Sequence, residues 1–389
     1  MCDTHDSQKN SQGRTIPVTD AVGTVLAHDI TEIKAGTFKG CAFRKGHVIK
    51  QEDISHLQRL GKEHLFVLDV AEDEMHEDEA AHALAQALMG EGVKPCGEPK
   101  EGRINLLAGR TGLLKINRDA LRMFNLLGDV ICATLHDNTV VREGQVVAGT
   151  RAIPLVVKRK VVDEAVAIAN NGRRAKGEGQ KIIEVKEIRK PKAGVVITGN
   201  EVYYGRIQDA FAPVIKKKIE AYGGEIRGVY FAPDDESYIE ARLRELIDAG
   251  CDLLIITGGM SVDPDDVTRF AIKNLGAHDI TYGSPVLPGS MVLVAYLEKG
   301  SRGQGAKDSS EENAHSLEPV IPQTLASSVP IFGIPACGMY SRTTVFDLLL
   351  PRVLAGERIG REEIADLGHG GLCLHCEECR YPVCPFGKG

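Results

Sequence analysis

Residues 252–266 have the sequence DLLIITGGMSVDPDD, and this stretch decides the fold. Its first part, Asp252 to Thr257, is an almost continuous apolar run, which is typical of a strand buried on both faces of a parallel sheet. Gly258 and Gly259 then favour a turn, and Asp263-Pro264 favours the start of a helix. A buried strand, a glycine turn and a helix in this order predict one repeat of an α/β domain.

The same pattern recurs on both sides of this stretch. A second apolar strand is predicted at Ala193 to Thr198, and the helix that follows it, Ala212 to Tyr222, stops at Gly223-Gly224. The remaining predicted elements are a helix from Ser237 to Ala249, strands from Met291 to Leu297 and from Val329 to Ile334, and a helix from about Met339 to Val353. Alternating strands and helices predict an α/β fold with a mostly parallel sheet over residues 191–356.

Other segments differ from this pattern. Lys299 to Ser328 is rich in Gly, Ser, Glu and Lys, which bury little apolar surface, so we expect a flexible surface insertion at residues 299–328. Before the α/β domain we expect disorder at residues 1–13, a small α+β module at residues 14–90 and a β-rich module at residues 100–188.

Composition and charge limit the function. The formal net charge of −7 gives no general attraction to nucleic acid. The first residues lack the apolar core of a signal peptide, and no run approaches the ~20 apolar residues of a membrane span. We therefore expect a cytoplasmic protein with a small-molecule or protein partner. The polar residues expected on a solvated helix face, rather than around a metal ion, are His76, Glu77, Asp78 and His82.

Three strand-end loops carry the candidate binding residues. In an open parallel sheet, ligands bind beyond the carboxyl ends of the strands, near the switch in strand order. The loops at this edge are Thr198 to Glu201, Thr257 to Asp266, and Pro335 to Gly338. Glycine allows a close approach of the backbone, and helix N-termini offer N–H groups to phosphate. Each loop alone has a structural alternative, because Thr-Gly and Gly-Gly pairs also simply turn a chain.

Hydroxyl and carboxylate side chains add chemistry to these loops. The hydroxyl donors are Thr198, Thr257 and Ser261. The carboxylates are Glu201, Asp265 and Asp266, which would repel a phosphate unless they meet a metal ion or a donor-rich ring. A pterin is such a ring, because its amino and ring N–H groups donate to carboxylates.

From Lys192 to Leu354 the sequence resembles the molybdopterin-binding domain of the MogA-type adenylyltransferases, the MoeA-type molybdotransferases and gephyrin. The matching motifs are Thr198-Gly199-Asn200-Glu201 (Thr-Gly-Asp-Glu in the family), Gly223-Gly224, Thr257-Gly258-Gly259-Met260-Ser261-Val262 with Asp266, and Pro288-Gly289. The resemblance implies a MogA-like three-layer fold and a role in molybdenum cofactor biosynthesis. It implies molybdopterin, free or adenylylated, and molybdate as the small-molecule partners.

The resemblance also implies roles for individual residues. The loop from Gly258 to Ser261 would hold the dithiolene and phosphate of molybdopterin. Glu201 and Asp266 would face the reacting end as catalytic candidates and magnesium ligands. The cofactor-binding candidates are Thr198, Gly199, Thr257, Gly258, Gly259, Ser261, Pro335 and Cys337. Family members often form oligomers, so we expect a homo-oligomer, with a client molybdoenzyme or redox partner.

Departures from the family pattern leave the chemistry open. Molybdotransferases usually have Pro-Gly-Lys-Pro preceded by another lysine, whereas this chain has Leu287-Pro288-Gly289-Ser290-Met291. The loss of two lysines weakens a molybdate site. The family's Pro-Gly-Asn-Pro loop is present only as Pro335-Ala336-Cys337-Gly338, while Asp265-Asp266-Val267-Thr268 is similar to the adenylyltransferase branch. A non-catalytic carrier or sensor is therefore an alternative to a molybdotransferase or adenylyltransferase.

The last segment, residues 366–389, is a cysteine-rich tail. Cys373, Cys376, Cys379 and Cys384 have the spacing Cys-x2-Cys-x2-Cys-x4-Cys. Four thiolates so close in sequence are typical of a zinc site or an iron–sulfur cluster, and the sequence does not decide between them. The alternative is an exposed tail of free thiols. If the tail binds metal, a third function is a redox-linked assembly platform.

Overall fold

The computed structural model of the protein describes residues 14–34, 38–68, 70–171, 181–260, 267–298 and 328–388. The predicted disorder at residues 1–13 lies outside these ranges, as do the predicted insertion except Ser328, and the candidate residues Ser261, Asp265 and Asp266. The chain divides into two compact units, Met1–Asp137 with Val141–Val185, and Asn138–Val140 with Lys186–Gly389.

The first unit contains several short antiparallel sheets. Up to residue 187 the elements are β1 (Arg14–Pro17), β2 (Val25–Leu26), β3 (Ile30–Lys34), β4 (Phe38–Phe43), α1 (Asp53–Arg59), β5 (His64–Leu68), β6 (Glu74–His76), α2 (Glu77–Leu88), β7 (Val93–Pro95), β8 (Arg103–Ala108), β9 (Gly112–Ile116), α3 (Arg118–Asn125), β10 (Val130–Thr134), β11 (Thr139–Val141), β12 (Val146–Ala152), β13 (Val156–Lys158), α4 (Arg159–Asn170) and β14 (Ile183–Glu187). The strand orders include β1-β5-β2, β3-β4, β10-β12-β8-β7 and β13-β6.

Two hydrophobic cores lie within the first unit. One is formed by residues between Ile16 and Val67, and the other by residues between Met75 and Val185. Helix α2 packs in the second core through the fully buried Leu84 and Leu88, against β8, β12 and α4. Helix α2, which falls within the module expected at residues 14–90, thus packs in the second core rather than the first. The predicted β-rich module also contains two helices, α3 and α4.

The second unit alternates strands and helices. Its elements are β15 (Lys192–Thr198), α5 (Asn200–Tyr203), α6 (Phe211–Glu220), β16 (Glu225–Ala232), α7 (Glu236–Asp248), β17 (Leu253–Thr257), α8 (Thr268–Asn274), β18 (His278–Tyr282), β19 (Leu293–Glu298), β20 (Ser328–Ile334), α9 (Cys337–Tyr340), α10 (Val345–Leu354) and α11 (Arg361–Ala365).

One six-stranded sheet organises this unit, with the order β16-β15-β17-β20-β19-β18. Strands β16, β15, β17 and β20 are parallel, whereas β19 and β18 are antiparallel to their neighbours. The predicted α/β class with a mostly parallel sheet is confirmed. Because β16 and β17 lie on opposite sides of β15, the strand order switches between β15 and β17, which is where such folds place a crevice.

Helices cover both faces of this sheet. Val195 and Ile197 of β15 pack in a core with α6 and α10, whereas the intervening Val196 packs on the other face with α7 and α8. This alternation follows from the two-residue side-chain period of a strand. The arrangement is three-layered, helix on sheet on helix.

Helix α7 approaches the sheet closely at one leucine. Leu246 is 1% exposed and lies over Gly194 and Gly228, which are paired in register across β15 and β16. A Cβ atom on either glycine would come within 2.9 Å of the Leu246 side chain. The two glycines therefore form a socket for this leucine.

The single helix predicted from about Met339 to Val353 is wrong in one respect, because two helices, α9 and α10, occupy this region. Helix α9 ends at Tyr340, and Thr344 caps α10: its hydroxyl accepts the Phe346 N–H at 3.2 Å, and the Asp347 carboxylate accepts the Thr344 N–H at 2.8 Å. This reciprocal capping box fixes the start of α10. Across the described ranges, every helix is too short or too polar to cross a bilayer.

Candidate functional site

Three parallel strands end side by side at the switch in strand order. Ile197 is in register with Thr257, and Thr257 with Ile334. The loops that follow β15, β17 and β20 therefore lie at the same edge of the sheet. Beyond this edge lies a cleft of about 450 Å³. The predicted site residues that line it are Thr198, Glu201, Gly258, Gly259, Pro335 and Cys337. The structure thus brings residues of all three loops together.

Two further predicted residues, Gly199 and Thr257, are buried at this edge and do not line the cleft. The Gly199 N–H donates to the carbonyl of Ala232 at 3.1 Å. The hydroxyl of Thr257 is fully buried and has no hydrogen-bond partner within the described part of the chain. An unpaired buried hydroxyl is uncommon, because it loses its hydration without compensation.

The hydroxyl of Thr198 serves the protein itself. It donates to the carbonyl oxygen of Thr257 at 3.1 Å and lies 3.5 Å from the hydroxyl of Thr268, which donates to the carbonyl of Gly258 at 3.2 Å. These contacts tie the ends of β15 and β17 to the first residue of α8. Thr198 therefore fixes the floor of the cleft rather than offering its hydrogen to a ligand.

The glycine pair after β17 is required by the turn itself. Gly258 and Gly259 have φ values of +89° and +57°, a region that disfavours other residues. A Cβ on Gly258 would lie 2.6 Å from the carbonyl oxygen of Thr198, and one on Gly259 would lie 2.3 Å from the hydroxyl of Thr268. The backbone therefore lies against backbone at Gly258 and against a side-chain hydroxyl at Gly259, and the two glycines add no side chain to the cleft wall.

Two carboxylate side chains, Glu201 and Asp209, also line the cleft. Glu201 is exposed and folds back over Gly199, where an added Cβ would meet its carboxylate at 2.9 Å. Asp209, which the sequence did not single out, accepts the N–H groups of Phe211 and Ala212 at 2.8 and 2.9 Å. Asp209 therefore already caps the N-terminus of α6, and these two N–H groups are not free for a ligand. An acidic residue just before a predicted helix was the available signal.

Sulfur-containing and apolar side chains form much of the remaining lining. Met260, Met291, Met339 and Phe211 all contribute, and none of them was a candidate. Cys337 is half-buried, and burial raises the pKa of its thiol. No lysine or arginine lines the cleft among the described residues, which agrees with the missing lysine motif. The cleft thus combines apolar walls with carboxylate acceptors.

A second, smaller cleft of about 230 Å³ lies in the tail. All four tail cysteines line it, together with Tyr340 at the end of α9 and Ser341 to Thr343, which link α9 to α10. The hydroxyl of Thr343 lies 3.4 Å from Sγ of Cys379 and holds the pKa of that thiol below its ordinary value. In the described ranges, no three His, Cys, Asp or Glu side chains are already arranged to hold a metal ion.

Two family models match separate parts of the chain. Residues 194–355 match the family described as "Probable molybdopterin binding domain", which takes in the six-stranded sheet and the larger cleft. Residues 15–69 match a family described as "Domain of unknown function (DUF8806)". The second match coincides with the part of the first unit that has its own core.

Several known proteins are similar to parts of the chain. The CinA-like protein of Mycobacterium avium (strain 104) is 42% identical over 95 residues, which are 24% of this chain and 22% of that protein. The chain thus spans about a fifth of the length of that relative.

Solved structures resemble the chain more weakly. A molybdopterin biosynthesis protein from Mycobacterium abscessus is 28% identical, with 21% of this chain and 52% of that chain covered and a TM-score of 0.21. The tungsten cofactor synthesizing protein MoaB from Pyrococcus furiosus is 16% identical, with 42% and 91% covered and a TM-score of 0.28. At these scores the structural likeness adds nothing about function.

Proposed function

We propose that this protein binds molybdopterin in the larger cleft and handles or inserts its metal, because residues 194–355 match the family described as "Probable molybdopterin binding domain". The observation that carries the proposal is that three strand-end loops converge on one cleft where the strand order switches. Gly258 and Gly259 line this cleft without side chains, and Glu201 adds a carboxylate. Such crevices bind phosphorylated ring ligands in open α/β sheets.

The described residues suit the ring better than an anion. Glu201 would accept hydrogen bonds from the amino and ring N–H groups of the pterin, while Phe211 and Met339 would contact its faces. Because Gly258 and Gly259 have no side chains, the dithiolene and phosphate would lie close to the backbone at these two residues. When bound, molybdopterin supplies the sulfur pair that ligates a metal. Ser261 and Asp266, from the same loop, are proposed to complete the site.

The catalytic alternatives remain separate proposals. Glu201 and Asp266 would hold magnesium if the protein transfers an adenylyl group or inserts molybdate. The lack of lysine and arginine in the described lining favours the second candidate, a carrier or sensor that binds molybdopterin without chemistry. The proposal places the protein in the cytoplasm as a homo-oligomer that serves a client molybdoenzyme or redox partner. The zinc or iron–sulfur site of the tail is a distinct proposal, because its cysteines line another cleft.

The binding proposal is tested with molybdopterin released anaerobically from a molybdoenzyme. Bound pterin is measured by ultrafiltration and by fluorescence after oxidation. We expect Glu201→Gln to weaken binding by about 10- to 100-fold, because a hydrogen bond to a charged group contributes about 1.5–3 kcal/mol. Glu220→Gln is the matched control, since this exposed glutamate of α6 pairs with Lys216 outside the cleft.

Two outcomes would contradict the proposal: no binding by the parent protein, or equal affinity in the parent and Glu201→Gln. The same samples, incubated with magnesium and ATP or with molybdate, distinguish the enzyme from the carrier. A new adenylylated or molybdenum-containing pterin favours the enzyme, and unchanged bound pterin favours the carrier.

A further inference from the structure

The cysteine tail is a closed loop rather than a free end. The Gly387 N–H donates to the carbonyl of Gly370 at 2.9 Å, which joins the two ends of the loop. Near its start, Leu287 donates to Gly371 and receives a hydrogen bond from Cys373, both at 2.8 Å. On the far side, the Tyr381 hydroxyl donates to the carbonyl of Asp347 in α10 at 3.1 Å. The loop from Gly370 to Gly387 is thus anchored at several points.

This loop has almost no hydrophobic core of its own. Phe386 is 4% exposed and packs into the core beside α10, and Cys373, Tyr381 and Cys384 are partly buried against the same core, but Leu374 and Val383 are 73% and 86% exposed. After Gly368 the described residues contain no helix and no strand longer than the single bridge between Leu287 and Leu372. Segments of this size that bury little apolar surface usually depend on a disulfide or a metal ion for order.

The four cysteines are gathered in one place, although their side chains are not yet arranged around a metal ion. None forms a disulfide, and all four line the same cleft of about 230 Å³. His375 has a φ of +49°, so the chain turns sharply between Cys373 and Cys376. The cysteines form two pairs, Cys-x2-Cys and Cys-x4-Cys, and both spacings are common among ligands of structural zinc.

We propose that Cys373, Cys376, Cys379 and Cys384 bind one thiophilic divalent ion of the zinc class, and that this ion takes the place of a core and holds the loop against α10. Cys376 and Cys379 are exposed, so no packed neighbours hold these two side chains in their present positions, and the loop would rearrange as the four sulfur atoms close around the ion. On binding, four thiols release four protons to solvent and form four metal–sulfur bonds, with no change in oxidation state. This inference does not depend on the pterin proposal.

The test uses cobalt chloride and zinc chloride with the reduced, metal-free full-length protein. We expect one Co²⁺ per chain with the intense visible bands of a tetrahedral tetrathiolate, which Zn²⁺ then removes by displacement. Cys376→Ser and Cys379→Ser should each weaken Zn²⁺ binding by more than about 100-fold, because even outer-shell partners contribute about 10- to 100-fold. Cys96→Ser, which removes an exposed cysteine of the first unit, should bind as the parent does.

A second readout tests the structural role. Arg380 is exposed in the middle of the loop, and trypsin cleavage after it releases a peptide that begins at Tyr381. We expect rapid release of this peptide from the metal-free protein and at least tenfold slower release after one equivalent of Zn²⁺. The proposal is overturned if the Co²⁺ spectrum is absent or unchanged in both serine variants. It is overturned equally if iron and sulfide co-purify in cluster stoichiometry, or if bound Zn²⁺ leaves the cleavage rate unchanged.

Discussion

Glu77, in the first turn of α2, shows how far one residue can depart from its local pattern. The sequence predicts a solvated helix face, but Glu77 is 5% exposed. Gly46 and Gly102 lie against its side chain, and a Cβ on either would come within about 3 Å of it. Burial, and then the neighbouring Asp78 carboxylate, raise the pKa of Glu77 to about 7. Glu101 acts in the same direction, whereas Arg151 and Lys45 oppose it.

This pKa makes the stability of the first unit depend on pH. Between the unfolded pKa of 4.5 and the folded value of about 7, the folded state holds the proton and the unfolded state does not. Stability therefore falls as the pH rises through this window. Glu77→Gln removes the ionisation. We therefore expect the free energy of unfolding of the variant to exceed that of the parent by about 2–3 kcal/mol at about pH 8, and the two values to differ little at about pH 4.5.

Urea unfolding of the first unit, followed at both pH values, measures this difference. Glu79→Gln is the control, because Glu79 lies in the same turn of α2 but is exposed and pairs with Arg159. If the free energy of unfolding changed with pH by the same amount in the parent and in Glu77→Gln, the proposed role of Glu77 would be ruled out.

The burial of Glu77 and the place of Asp209 in the cleft could not be predicted from the sequence. Their environments are made by residues distant along the chain, such as Gly46 beside Glu77. By contrast, the convergence of Thr198, Glu201, Gly258 and Cys337 at one cleft could be predicted, because parallel strands end at the same edge of a sheet.

At the scale of elements, local capping signals decide where helices start. Asp235 precedes α7, and its carboxylate accepts the Tyr238 N–H at 2.8 Å. We expect Asp235→Ala to lower the free energy of unfolding of the second unit by about 1 kcal/mol, because an N-cap residue contributes about 0.5–2 kcal/mol. Asp235→Asn should retain most of this stability. Denaturant unfolding of the three proteins provides the measurement, and equal losses in both variants would argue against the capping role.

Elements with such signals were predicted well. The helix expected from Ser237 to Ala249 corresponds to α7, with its acidic cap in place. Strand β16 was not predicted, because it lies at the sheet edge and alternates exposed and half-buried residues instead of forming an apolar run. The break between α9 and α10 was missed although Thr344 and Asp347 carry the spacing of a capping box.

At the scale of the whole molecule, the second unit has its own cores on both faces of the sheet. We expect a chain that starts at Lys186 to fold cooperatively and to bind molybdopterin with a Kd within about threefold of the full-length value, a difference under ~1 kcal/mol. Circular dichroism melting and the ultrafiltration assay test this. A fragment that melts without a transition, or one that folds but no longer binds, would show that the first unit is needed.

The boundaries of these units were only partly predictable. The change to strand–helix alternation after Glu187 lies close to the observed division at Val185 and Lys186. The sequence did not indicate which core α2 joins, because the apolar stripe of α2 indicates that the helix is packed but not which strands it packs against.

The socket formed by Gly194 and Gly228 under Leu246 has an evolutionary consequence. A methyl group added to either strand would displace the leucine, and a smaller residue on α7 would leave a void above two bare backbones. Divergent copies of this domain should therefore exchange the three positions in concert, and a homologue with alanine at one of the glycines should carry a compensating side chain on the helix.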